Sequence, residues 1–126
     1  MRYINTGKVI AAQLTTPAEN PLVTDSSRLM DVWFDGAAVR KQLFKKVTRA
    51  EQDAFVADLE QRGFVRSGNL LVDPGGVFFA EMEHELLGGI ITIGYQDNGK
   101  PVEFKVSATA FAELRERLTE AAGRAG

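Results

Sequence analysis

Residues Ile4-Asn5-Thr6-Gly7-Lys8-Val9-Ile10-Ala11-Ala12-Gln13-Leu14 and Val72-Asp73-Pro74-Gly75-Gly76-Val77-Phe78-Phe79-Ala80-Glu81-Met82 align without a gap. Each stretch has an aliphatic residue, then Asn or Asp, and a Gly three positions after the aliphatic residue. Val, a large apolar residue, an Ala, an amide or acid and a second large apolar residue follow. The match continues downstream. Met30-Asp31-Val32-Trp33-Phe34 corresponds to Ile90-Ile91-Thr92-Ile93, and Phe44-Lys45-Lys46-Val47-Thr48 to Phe104-Lys105-Val106-Ser107. Self-similarity of this kind sets an architecture before any single element is assigned.

Within each unit the patterns read as three strands and a helix. Alternation over about 3–14 places Ile10, Ala12 and Leu14 on one strand face, with Phe78, Ala80 and Met82 as their counterparts. A turn-rich loop from Thr15 to Ser27 leads to a strand over about 28–34. Asp35-Gly36 then predicts a hairpin turn before a strand over about 39–47. Thr48-Arg49-Ala50-Glu51 is a capping box, followed by a helix with Phe55, Val56 and Leu59 on its apolar stripe and Gly63 as its stop. In the second unit, a strand over about 89–95, an Asn98-Gly99 turn and the alternating Val102, Phe104 and Val106 precede a helix. That helix has Ser107 as N-cap, Phe111, Leu114, Leu118 and Ala121 as its stripe, and Glu113 paired with Arg117. The expected fold is α+β: internally duplicated strand–strand–strand–helix units, about 3–63 and 69–122, in one domain spanning 1–126. Antiparallel sheets carry the two helices packed on one face. The core is expected to hold Ile10, Leu14, Phe55, Leu59, Phe78, Met82, Phe104, Phe111, Leu114 and Leu118.

Composition bounds the function. The chain has 126 residues, 44% hydrophobic and 25% charged, ordinary for a globular domain able to bury a core. It contains no cysteine, so disulfides, thiolate metal sites and cysteine nucleophiles are excluded. No stretch approaches the roughly 18 apolar residues of a membrane span. The first seven residues lack the pattern of a signal peptide, which makes the cytoplasm the expected location. The net charge is −2. Residues 1–65 carry 9 Lys and Arg against 8 Asp and Glu, and residues 66–126 carry 6 against 9. Neither half has the strongly basic balance of a nucleic-acid footprint.

Few residues converge on chemistry. The one histidine, His84, stands among Glu81, Glu83 and Glu85, but on a strand the acids point one way and the imidazole the other. No metal site is assigned. The glycines of Asp73-Pro74-Gly75-Gly76 precede a strand and so form no phosphate loop at a helix N-terminus. With one histidine and no cysteine, bases and nucleophiles are scarce. Asp31 and Asp35 are the compact carboxylate pair, and their ordinary role is turn chemistry. No catalytic residue and no cofactor is expected. Arg40, Lys41, Lys45, Lys46 and Arg49 form the densest basic cluster, with Trp33 on the partner strand. Cations that hold phosphate and a ring that stacks on a base would suit single-stranded nucleic acid. The same lysines on an edge strand would deter aggregation, and Trp33 would then be buried in the core or at a subunit contact, the outcome expected of a protein-binding module. The tandem layout resembles that of single-strand-binding proteins of the Pur-alpha and PC-four type, without their residue motifs. The reading that follows by elimination is a non-catalytic binding or regulatory module. It acts through protein–protein contacts and self-association, with a homodimer expected. The alternative is single-stranded nucleic-acid binding through Trp33, Arg40, Lys41, Lys45, Lys46 and Arg49, and an enzyme comes third.

Overall fold

The computed structural model describes residues 2–36, 39–84, 87–95 and 99–125, without the side chains of residues 84, 124 and 125. Eight strands and two helices form an α+β structure with two antiparallel sheets. After a 3-10 turn at Thr6–Lys8 come β1 (Val9–Thr15), β2 (Arg28–Phe34), β3 (Lys41–Val47) and α1 (Arg49–Gln61). A short hairpin, β4 (Val65–Ser67) and β5 (Leu70–Val72), follows. A second 3-10 turn at Pro74–Gly76 then opens β6 (Val77–His84), β7 (Gly88–Ile93), β8 (Val102–Val106) and α2 (Ala108–Ala125). The five-stranded sheet has the order β3-β2-β1-β5-β4, and the three-stranded sheet the order β6-β7-β8.

The aligned stretches begin with the same local device. The Asn5 side chain accepts a hydrogen bond from the Gly7 amide at 3.1 Å, and the Asp73 side chain accepts one from the Gly75 amide at 3.0 Å. A short polar side chain that mimics a backbone turn explains why Asn and Asp interchange here. Both turns then receive a backbone bond from beyond the second strand: Asp35 N–H to Lys8 O at 2.7 Å, and Gly94 N–H to Gly76 O at 2.9 Å. The register of β1 on β2 shifts between Val9 and Ala11, and that of β6 on β7 shifts between Val77 and Phe79.

Those register shifts correct the expected faces. A bulge puts two successive residues against one partner, so strict alternation fails across it. Ala12 and Leu14 join Met30, Val32, Phe55, Val56 and Leu59 in the core under α1. Ile10 and Ala11 instead join Trp33, Val72, Ile91, Phe104 and Leu114 in a second core on the opposite face of β1. The helices, expected on one face, divide between these two cores. Trp33 meets Phe104 edge-to-face with centroids 4.6 Å apart, a favoured aromatic geometry. That contact joins the back of the first sheet to the second. Ser67 Oγ on β4 donates to Glu113 Oε2 on α2 at 3.0 Å.

Helix boundaries follow local chemistry. Thr48 Oγ1 accepts from the Glu51 amide at 3.1 Å while the Glu51 carboxylate accepts from the Thr48 amide at 3.2 Å, completing the capping box. Past α1, Gly63 takes a φ of 97°, a region that favours glycine. Ser107 Oγ accepts from the Ala110 amide at 3.2 Å, and Glu113 pairs with Arg117 at 2.6 Å. At Gly89 the ring of Phe111 lies where a side chain would start, with Cδ2 2.4 Å from the Cβ position. The missing side chain lets α2 approach β7. Other expectations are adjusted. The strand expected over 3–14 starts at Val9, and six residues, 35–40, link β2 to β3 in place of a two-residue turn. The Asn98-Gly99 turn falls partly outside the described residues.

Candidate functional site

The surface that stands out is the three-stranded sheet, on the side away from α2. Strand alternation and the cross-strand register define it. Ala80, Ile91 and Phe104 form one row, with Ile91 and Phe104 in the core shared with α2 and Ala80 packed against it. The neighbouring rows, Phe79–Thr92–Glu103 and Glu81–Ile90–Lys105, therefore face the other way. Phe78, at the bulge, lies over Gly94: a Cβ at Gly94 would stand 2.1 Å from Phe78 Cζ. The two rings remain 65% and 54% exposed. Met82 is 40% exposed on the opposite side of the strand, and Leu87 beyond its end is also exposed. Phe78 and Met82 are thus corrected from core to surface. β6 ends its sheet, with β7 on one side and no strand on the other among the described residues. Glu81 and Glu83, both exposed, add negative charge along it.

The corresponding rows of the first sheet are Ala11–Trp33–Lys41 and Gln13–Asp31–Leu43. Here Ala11 and Trp33 are buried, and the edge of β1 corresponding to the open edge of β6 carries β5, with Ala11 opposite Val72 and Ala12 opposite Leu71. The first half is covered at both places where the second half is open.

The basic cluster spreads along the other end of the molecule. Lys41, Lys45 and Lys46 are exposed on β3, an edge strand, and Arg49 is exposed on the first turn of α1. Lys41 Nζ lies 4.0 Å from Asp31 Oδ1 and 5.1 Å from the Trp33 ring centroid. Arg49 Nε lies 3.8 Å from Asp53 Oδ2. The Arg40 guanidinium lies 4.4 Å from the Tyr95 ring centroid. Arg2 Nη2 donates to Lys45 O at 2.7 Å. Trp33, at 8% exposure, packs in the core and does not share this surface. The three lysines share one edge strand, while the indole is buried and meets them only at Lys41.

A third feature is an open apolar groove of about 630 Å³ beside the N-terminal segment, lined by Tyr3, Ile4, Phe34, Val39 and Phe44 with Asn5, Lys8 and Gln42 at its rim. Among the described residues no three His, Asp or Glu side chains cluster as metal ligands. Glu85 and the His84 side chain lie outside the described residues. Asp31 faces Lys41 on β2. Among the described residues no helix is long and apolar enough to cross a membrane.

The sequence signal that could have found the β6 surface is the spacing of Phe79 and Glu81. An aromatic residue in register with an acid lies on a wet face, and the adjacent Phe78 marks the bulge that breaks the pattern. In comparisons with known proteins, no family model, no curated protein and no solved structure matches this chain.

Proposed function

We propose that the chain is a non-catalytic binding module that works through protein–protein contacts, self-association included, and that its docking surface is β6 with the outward face of the three-stranded sheet. One observation carries this reading: Phe78 and Phe79 are 65% and 54% exposed on a strand whose outer edge has no partner strand among the described residues. Exposed apolar patches beside unpaired backbone are what strand-adding recognition uses. Main-chain bonds supply affinity and side chains of alternate residues supply specificity. The first half supports the same reading when the halves are taken as duplicate units. Its corresponding edge and face are occupied by β5 and by the second sheet.

Affinity capture with the wild-type chain and with Phe79→Ser, followed by reconstitution of each captured pair from purified components, tests the proposal. Partners that bind the wild type and are lost from the variant support it. An unchanged set of partners refutes it. The alternative, nucleic-acid binding by Lys41, Lys45, Lys46 and Arg49, draws support from their common exposure on one edge. It would show as salt-sensitive binding of a single-stranded oligonucleotide, with log affinity falling by about 0.7 per phosphate contact for each unit of log salt. Such binding, lost in Lys45→Ala with Lys46→Ala, would displace the protein-docking reading.

A further inference from the structure

We infer that the strand added to β6 is β3 of a second copy of this chain, so that copies join head to tail. The inference rests on the docking surface proposed above and names its occupant. Four strands end a sheet among the described residues, β3, β4, β6 and β8, and of these β3 and β6 are the pair whose charges are of one sign on each strand and opposite between them. Over residues 40–46 there are four cations and no acid; over residues 77–83 there are two acids and no cation. On β3 the alternate residues Lys41 and Leu43 are exposed, and on β6 Phe79 and Glu81; Lys45 and Glu83, exposed as well, stand at a register shift on each strand. Each pair joins one apolar side chain to one charge, and the charges are opposite in sign.

Charge selects among the possible pairings. Two β3 edges side by side would juxtapose lysines, and two β6 edges would juxtapose glutamates. Like charges directly opposite destabilise a strand pair, and charged edges are how sheets avoid pairing with themselves. The β3–β6 combination escapes both penalties. An antiparallel register with Leu43 opposite Phe79 sets Lys41 opposite Glu81, joining an apolar pair to an ion pair on one face. This register uses the part of β3 away from Lys45, whose carbonyl already accepts from Arg2. β5 on β1 is the same antiparallel arrangement within the chain, on the edge that corresponds to β6. Because the two surfaces differ, the contact is heterologous. It closes into a ring if the rotation between copies permits and otherwise extends as a chain.

The test is sedimentation velocity of the full chain over a concentration series at low and high ionic strength, with circular dichroism as the control for folding. The Debye length falls from about 30 Å at 0.01 M to about 3 Å at 1 M, so salt should weaken the contact. The expected result for the wild type is a weight-average mass that rises above the 13.8 kDa monomer with concentration and falls back with salt. Glu81→Lys with Glu83→Lys should be monomeric, and so should Lys41→Glu with Lys45→Glu. An equimolar mixture of the two folded variants should associate again, because each then offers the other an opposite edge. A wild-type chain that stays monomeric throughout overturns the inference, as does association that survives either double reversal or a mixture that does not recover. Phe79→Ser separates this inference from the reading beneath it. If the wild type is monomeric but holds a different purified protein that Phe79→Ser releases, the docking surface stands and only its occupant is wrong. If Phe79→Ser changes neither self-association nor any partner, both fail.

Discussion

Phe78→Ala and Leu114→Ala should separate by several-fold in stability, and the comparison tests which side of the three-stranded sheet is core. Leu114 is fully buried on α2, within the cluster that contains Trp33, Ile91 and Phe104. Removing its isobutyl group loses transfer free energy and leaves a cavity, a combined cost of about 2.7–5.0 kcal/mol. Phe78 is 65% exposed, so only about a third of the ring's surface leaves water on folding. Full burial of a Phe side chain stabilises by about 1.5–3 kcal/mol, which scales to roughly 0.5–1 kcal/mol for the buried part. Urea denaturation of both variants, with m compared to exclude a change in the unfolded state, reads the difference directly. A loss above about 2 kcal/mol for Phe78→Ala would place that ring in the core and remove the surface on which the docking proposal depends. A loss below about 1 kcal/mol for Leu114→Ala would contradict the packing of α2.

Gly89→Ala should destabilise by about 1–3 kcal/mol or more through overpacking, because the added carbon would lie 2.6 Å from the Glu81 carbonyl oxygen as well as against Phe111. Gly94→Ala should cost less, since its obstacle is the exposed Phe78 ring, which can swing outward; denaturation midpoints of the two variants check the order. Thr92→Val should be neutral or stabilising in the same assay, because Thr92 Oγ1 is buried with no hydrogen-bond partner and a near-isosteric apolar group removes that penalty. Glu51 is held below its ordinary pKa, chiefly by the Thr48 amide, with help from the Thr48 hydroxyl and the nearby Arg2. Its carboxylate therefore adds stability above the unfolded-state pKa and loses it as pH falls through the lowered folded value. Glu51→Gln should lower the denaturation midpoint at neutral pH, and the gap from wild type should close in acid; a gap that widens in acid would contradict the capping assignment.

The elements legible in the sequence are those whose cause is local. The Thr48–Glu51 box and the Ser107 cap each depend on atoms within three residues, and both form as read. The β4–β5 hairpin escaped because its strands are three residues long and β5 is buried on both faces. A run such as Leu70-Leu71-Val72 then has no period to detect. The bulges escaped for a different reason. A bulge is set by the partner strand, and one extra residue moves Ile10 to the opposite face from Ala12. The same slip in β6 turned Phe78 from expected core into surface. The basic cluster was legible as a run of charges, and Trp33 is buried at 8% exposure as its core reading expected; what the sequence could not give is its partner, Phe104, 71 positions along the chain.

The two halves share an element order, yet their surfaces are not equivalent, and the reason lies in what stands beside each. A strand unit of this kind has three places to bury: the face under its helix, the opposite face, and the free edge of its first strand. In the first half all three are filled within the chain. α1 covers one face, Phe104 and its neighbours cover Trp33 on the other, and β5 takes the edge of β1. In the second half the face toward α2 and the first sheet is filled, and the opposite face buries Thr92 but leaves Phe78 and Phe79 exposed; among the described residues β6 has no strand on its outer edge. An unpaired edge beside aromatic surface invites indiscriminate pairing unless charge restricts it. The glutamates along β6 supply that restriction, since they oppose pairing with another acidic edge and favour a basic one. The asymmetry between the halves is thus one of neighbours: β5 and the second sheet stand beside the first half, and no described strand stands beside β6.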